Sequence, residues 1–160
     1  MTAMSKTTPA TLALTKAGIP FELVTYDYDP DADRIGLQAA EAIGVSPSIV
    51  LKTLMVEVDG NPACAVIPSD CELNMKKVAA AFGGKSAQMM KPAEAERLTG
   101  YRVGGISPLG QRRRVPTAVE EMATLEDIVF LNGGQRGLQI RIQPDDLLHA
   151  MEAKAADLVR

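Results

Sequence analysis

Apolar and polar positions change period several times along the chain, and each change marks an element. Thr8 followed by Pro9 has the form of a helix cap and first helical position, and Gly18 with Pro20 supplies a stop, so Pro9 to Ala17 is predicted as a short helix. Phe21 to Tyr26 alternates as a strand does. The acidic, turn-rich stretch from Asp27 to Gly36 reads as a loop, and Leu37 to Ile43 as a helix closed by Gly44. Ser46 and Pro47 open a short turn. Thr53 to Val58 and Ala63 to Ile67 are apolar runs separated by Asp-Gly-Asn at Asp59 to Asn61, the clearest hairpin signal in the chain.

Further along, Leu73, Val78, Ala79, Ala81 and Phe82 recur at helical spacing between the cap candidate Asn74 and the stop at Gly83 and Gly84. Pro92 to Leu98 is a second helix, ended near Gly100. Tyr101 to Pro116 holds too many Gly and Pro residues for a regular element and too many apolar ones for a linker, which makes it the segment expected to line a site. Ile128 to Leu131 and Leu138 to Ile142 form a second hairpin around Asn-Gly-Gly-Gln-Arg-Gly. Pro144 to Leu158 reads as one terminal amphipathic helix with Asp145 and Asp146 in its first turn. Hairpins interleaved with helices, without a regular βαβα rhythm, predict an α+β fold with a mixed or antiparallel sheet.

Composition narrows the chemistry. A chain of 160 residues is read as a single domain, 1–160, with residues 1–8 expected to be flexible. His149 is the single histidine and Trp is absent, so a three-histidine metal site is excluded and any Ser-His-Asp device would rest on His149 alone. Aromatics at 4% argue against a base-stacking platform. The net charge of −3 disfavours nonspecific adhesion to a polyanion, so a nucleic acid would have to be gripped locally. Cys64 and Cys71 show no metal-ligand spacing and read as free thiols. No apolar stretch has signal-peptide or membrane-span length, and a cytoplasmic location is expected.

Four features carry candidate chemistry. Ala79 to Ser86 ends in Gly-Lys-Ser like a phosphate loop, but the glycines end a helix where a phosphate loop must open one. His149 has Asp145 one turn before it and no nucleophile beside it, and reads as a surface or helix-pairing residue. Arg112 to Arg114 is either a solvated face or, beside a Gly/Pro-rich loop, a phosphate grip. Lys52, in an apolar strand, is either an edge-strand charge or a partly buried amine placed to meet an anion or a carbonyl oxygen.

In order and spacing, Thr25 to Pro30 (TYDYDP), Val50 to Val56 (VLKTLMV), Lys76 to Lys85 (KKVAAAFGGK), Thr99 to Pro116 (TGYRVGGISPLGQRRRVP) and Asn132 to Ile140 (NGGQRGLQI) resemble the bacterial YbaK/EbsC family. The members are free-standing Cys-tRNA(Pro) deacylases, similar to the editing domain inserted in prolyl-tRNA synthetases. The resemblance runs from about Pro9 to Leu158. It implies an α+β fold with a mixed, barrel-like sheet and surrounding helices, and clearance of cysteine wrongly esterified to tRNA(Pro), with Cys-tRNA(Cys) as a further substrate. It places Lys52 as the central functional residue and Tyr26 among the substrate-binding residues. The loop Gly104, Gly105, Ile106, Ser107 and Pro108 is implied to hold the ester carbonyl and the terminal adenosine. The later hairpin adds Asn132, Gly133, Gly134, Arg136 and Gln139 to the substrate side. Asn132 and Gln139 stand where the best-known members have a serine and an aspartate, which keeps hydrogen bonding and removes a negative charge.

The family mechanism uses the substrate's own thiol, a sulfur nucleophile with a free pKa of about 8.5, to attack the ester carbonyl and leave as a thiolactone. No metal or cofactor is implied, which agrees with the sparse catalytic inventory. Implied partners are the aminoacylated 3′ end of tRNA and prolyl-tRNA synthetase in a ternary assembly, with Arg112, Arg113 and Arg114 as tRNA contacts. Two other readings stay open: a non-catalytic module that binds aminoacyl-adenosine or a partner, and an Ala-tRNA(Pro) deacylase on the same scaffold.

Overall fold

The computed structural model of the chain describes residues 7–31 and 35–160. Among the described residues, five helices, α1 (Pro9–Ala17), α2 (Ile35–Ile43), α3 (Met75–Ala81), α4 (Pro92–Thr99) and α5 (Pro144–Met151), surround eight strands. The strands are β1 (Glu22–Thr25), β2 (Leu51–Val58), β3 (Asn61–Pro68), β4 (Ala87–Met89), β5 (Thr117–Glu120), β6 (Val129–Asn132), β7 (Leu138–Ile142) and β8 (Lys154–Ala156). They form an antiparallel sheet in the order β1-β7-β6 and a mixed sheet in the order β4-β2-β3-β5-β8, in which β5 runs parallel to both β3 and β8. A parallel bridge from Val50 to Phe130 brings the start of β2 against β6. The fold is α+β as expected, and the barrel-like wall stays open.

Local chemistry explains the elements that the sequence announces. The Thr8 side chain accepts from Thr11 N at 3.1 Å while Thr11 Oγ1 accepts from Thr8 N at 2.9 Å, a reciprocal cap that fixes the first turn of α1. Thr8 also donates to the carbonyl of Gly133 at 2.5 Å and is buried, so the chain is tied down by residue 8; residues 1–6 of the segment expected to be flexible lie outside the described residues. Asp59 and Gly60 both adopt the left-handed conformation, φ 49° and 82°, which matches the twist of β2 and β3 in a two-residue hairpin turn.

Strand β3 is buried on both faces. Cys64 and Val66 face the main core, shared with α1, α5 and the three-stranded sheet, while Ala63, Ala65 and Ile67 face a second core under α3. A third cluster, with Ala39, Ala40, Val50 and Phe130, seats α2 over the junction of the sheets.

The C-terminus departs from the sequence pattern. The helix expected over Pro144 to Leu158 ends at Met151, with Glu152 left-handed at φ 49°, and the chain then forms β8 alongside β5. The cause is a buried carboxylate: Glu120, 1% exposed, accepts from Leu158 N and from Met122 N, both at 2.9 Å. A continued helix would leave that charge without its Leu158 donor. Strands β4 and β5, too short to show a period, are likewise made by pairing with the central hairpin.

Candidate active site

Strand β4 pairs β2 only across Val56–Val58, leaving Leu51 to Met55 to border a cavity of about 300 Å³ between β2, the start of α4, the loop after Tyr101 and the β6–β7 hairpin. Of the residues singled out in the sequence, Lys52, Gly104, Ile106, Asn132 and Gln139 all line it. Residues 80 positions apart or more therefore meet in one place, brought together by the bridge between Val50 and Phe130. Its other walls are largely apolar, including Met55, Met89 and Met90.

The rim is braced from several sides. Tyr101, buried at the start of the loop, donates its hydroxyl to the Leu109 carbonyl at 2.5 Å; burial pushes its pKa well above the ordinary tyrosine value. Asn132 Nδ2 donates to the Gly104 carbonyl at 3.1 Å, while Asn132 Oδ1 accepts from Gly134 N at 2.7 Å and Gln135 N at 3.2 Å. Arg136 donates twice to the Val103 carbonyl, at 2.8 and 3.1 Å, and its guanidinium lies 5.4 Å from the centroid of the Tyr28 ring. Gly104 has φ +90°, and a Cβ there would sit 2.9 Å from the Tyr28 hydroxyl. Gly105 packs so closely on the next hairpin that a Cβ would lie 3.1 Å from Arg136 N. Backbone crowding favours glycine at Gly105, and the left-handed backbone conformation favours it at Gly104.

Hydrogen-bonding capacity is left over at the same place. The Thr53 hydroxyl, the Gln139 Oε1 and the Tyr26 hydroxyl are buried without a partner. Gln139 and the Gly137 backbone lie beside the Tyr26 hydroxyl without closing a bond of ordinary geometry, and burial raises the Tyr26 pKa. Unpaired buried polar atoms are costly, and two of these three belong to cavity-lining residues, where a ligand would satisfy them. Lys52 is close enough to Cys71 for its charge to act on that thiol, although burial, followed by Asp70, raises the Cys71 pKa. Cys64 is fully buried and pushed up to about 12, a neutral thiol rather than a nucleophile.

Other expected residues lie behind the rim or elsewhere. Gly105, Ser107 and Pro108 are buried in the loop, and Gly133 and Gly134 form the hairpin turn that Asn132 caps. Arg112, Arg113 and Arg114 are exposed away from the cavity, with Arg114 paired to Glu152 at 2.9 Å. His149 is exposed on α5. The Gly-Lys-Ser segment ends α3, and its Lys85 and Ser86 N–H groups are taken by the Asp59 carboxylate at 3.0 Å, so the chain fills its own anion nest. Thr53 and Met55 also line the cavity, and no sequence signal marks either of them. A strand's alternation sends neighbouring residues to opposite faces, so it does not show that consecutive β2 residues border one cavity.

An α+β scaffold thus folds a braced glycine loop around a small, mostly apolar cavity with a lysine in its lining, the form of a small-ligand site. Residues 29–150 match the family model of the aminoacyl-tRNA editing domain, and the chain belongs to that family. An Enterococcus faecalis protein named as a candidate Cys-tRNA(Pro)/Cys-tRNA(Cys) deacylase, EbsC, is 33% identical over 135 residues, covering 83% of this chain and 82% of that protein. A proline–tRNA ligase of Maridesulfovibrio salexigens is 31% identical over 100 residues, 62% of this chain and 17% of the ligase. A crystal structure described as a candidate trans-editing enzyme for prolyl-tRNA synthetase superposes with a TM-score of 0.83 at 25% identity, covering 95% of both chains. Among the described residues no helix is long and apolar enough to cross a membrane.

Proposed function

We propose that this protein is a trans-editing deacylase that clears Cys-tRNA(Pro), and Cys-tRNA(Cys), in the cytoplasm, in assembly with prolyl-tRNA synthetase. The observation that carries the reading is the convergence of Lys52, Gly104, Ile106 and Gln139 on one amino-acid-sized cavity. Its polar side chains among the described residues are Lys52, Thr53, Asn132 and Gln139, with no histidine or carboxylate to activate a nucleophile of the protein. The substrate's thiol supplies the nucleophile. Its sulfur attacks the ester carbonyl, the bond to the ribose oxygen breaks, the thiol proton ends on that oxygen, and cysteine leaves as a thiolactone. Lys52 stabilises negative charge developing at the carbonyl, and the rigid rim holds the ester in a near-attack geometry.

Asparagine in place of the family's usual serine does not by itself argue for a non-catalytic module. Its side chain is spent on fastening the rim and the hairpin turn, a structural task that leaves the chemistry to Lys52 and the substrate. Lys52→Ala is expected to abolish release of cysteine from Cys-tRNA(Pro) while keeping the wild-type circular dichroism spectrum; release at the wild-type rate would remove Lys52 from the mechanism. The wild-type protein should clear Ser- and Ala-tRNA(Pro) far more slowly. Clearance of the serine ester as fast as the cysteine ester would refute attack by the substrate thiol, and preference for the alanine ester would make this an alanine editor.

A further inference from the structure

Gln111 lies outside the cavity lining yet reaches one of its walls. Met55 and Cys64 are directly opposed across β2 and β3, and the Gln111 side-chain amide sits over the pair. Its Nε2 donates to the Ser107 carbonyl at 3.0 Å and lies 3.5 Å from Met55 Sδ and 3.9 Å from Cys64 Sγ. The Ser107 carbonyl fixes which end of the amide faces inward, because the flipped amide would set two oxygens against each other. With one N–H spent on that carbonyl, the second is directed at the sulfurs. Cys64 is fully buried and its side chain turns about a single carbon–carbon bond, so the adjustable partner is Met55, which is 3% exposed and lines the cavity.

Methionine is the least self-specifying wall a pocket can have, since three rotatable bonds let its thioether swing to admit larger ligands. A donor aimed at the sulfur removes that freedom, and the bond to Ser107 attaches the same amide to the loop that carries Gly104 and Ile106. We infer that Gln111 is a specificity-determining positioning residue, whose amide pins the Met55 thioether as a fixed wall and so limits the acyl side chain to about the size of cysteine. This rests on the deacylase reading for the identity of the ligand. It differs from that reading in assigning size exclusion to a residue that touches neither the ester nor the nucleophile.

The test uses non-cleavable ligands, adenosine carrying a 3′-amide-linked alanine, 2-aminobutyrate or leucine, titrated into the whole protein by calorimetry. Wild type should bind the alanyl and 2-aminobutyryl compounds and reject the leucyl one by about 100-fold, within the range that pocket size commands. Gln111→Met, which keeps side-chain length and loses both donors, should shrink that ratio at least about tenfold, and Gln111→Leu provides an independent second variant. A leucine wall, branched and stiffer, needs no pin. The ratio should therefore survive in Met55→Leu and be restored in Met55→Leu/Gln111→Met, a coupling a merely structural lesion would not show. An unchanged ratio in folded Gln111→Met and Gln111→Leu proteins, or a double variant as permissive as the single, overturns the assignment. So does a wild type that binds none of the three ligands. Intact size discrimination in a protein that leaves Cys-tRNA(Pro) uncleaved would overturn the deacylase reading and leave the role of Gln111 standing.

Discussion

At the scale of the residue, the site is held by side chains that satisfy more than one partner at once. Asn132 donates to the rim through Nδ2 and caps the hairpin turn through Oδ1, so one side chain sets the distance between the Gly104 carbonyl and the Gly134 backbone. Replacing it with leucine leaves two turn N–H groups and the rim carbonyl unpaired, a cost of about 2–4 kcal/mol in urea denaturation. Asn132→Ser keeps an acceptor for the turn and should lose less than half as much. Substrate affinity should fall in both variants, because the rim loses its amide donor. Nothing in the local sequence pattern marks these bonds. Asn132 before two glycines is legible as a turn residue, but its reach to residue 104 exists only in the folded chain.

Elements show how the same polar groups decide where strands and helices stop. The Asp59 carboxylate accepts N–H bonds from Ser86 and Lys85, in that order of effect, which hold its pKa below the usual carboxylate value. A depressed folded pKa means the stabilisation is present when the carboxylate is ionised and is lost as pH falls through that folded value. Asp59→Asn should therefore lower the denaturation midpoint at pH 7, with the gap to wild type closing below about pH 4. Equal midpoints at pH 7 would show that the cradle contributes nothing. At the other edge of the sheet, Glu120→Ala strands Leu158 N and Met122 N, and a loss of about 2–3 kcal/mol is expected, with amide exchange accelerated first in β8 and the residues after it.

For the whole molecule, acidic charge and a tRNA substrate stand in tension. A protein of net charge −3 has little nonspecific attraction for a polyanion, and Arg114, one of three exposed arginines in a row, is already paired with Glu152. Under the proposed assembly, recruitment by a synthetase that itself holds the tRNA would raise the effective concentration of the aminoacylated end without requiring a basic surface here. Prolyl-tRNA synthetase should accordingly lower the KM for Cys-tRNA(Pro) about tenfold or more at moderate salt, and leave hydrolysis of a cysteinyl-adenosine ester unchanged. An unaltered KM in steady-state deacylation assays would argue for direct recognition of the tRNA.

The chain alone determined what depends on near neighbours. Thr8-Pro9 with Gly18 bounds α1, Asp59-Gly60 makes a two-residue turn, and the glycines after α3 close a helix rather than cradle a phosphate. It also determined the family, because ordered motifs survive without their contacts. Only the tertiary structure decided that residues after Glu152 leave the helix for β8, that Gln111 reaches Met55, and that the Lys85 and Ser86 amides belong to Asp59. The physical reason is the same each time. Backbone periodicity reports bonds made within a turn or two, whereas these groups find partners 26 to 56 positions away, where burial and an unpaired polar atom, not local propensity, set the energy.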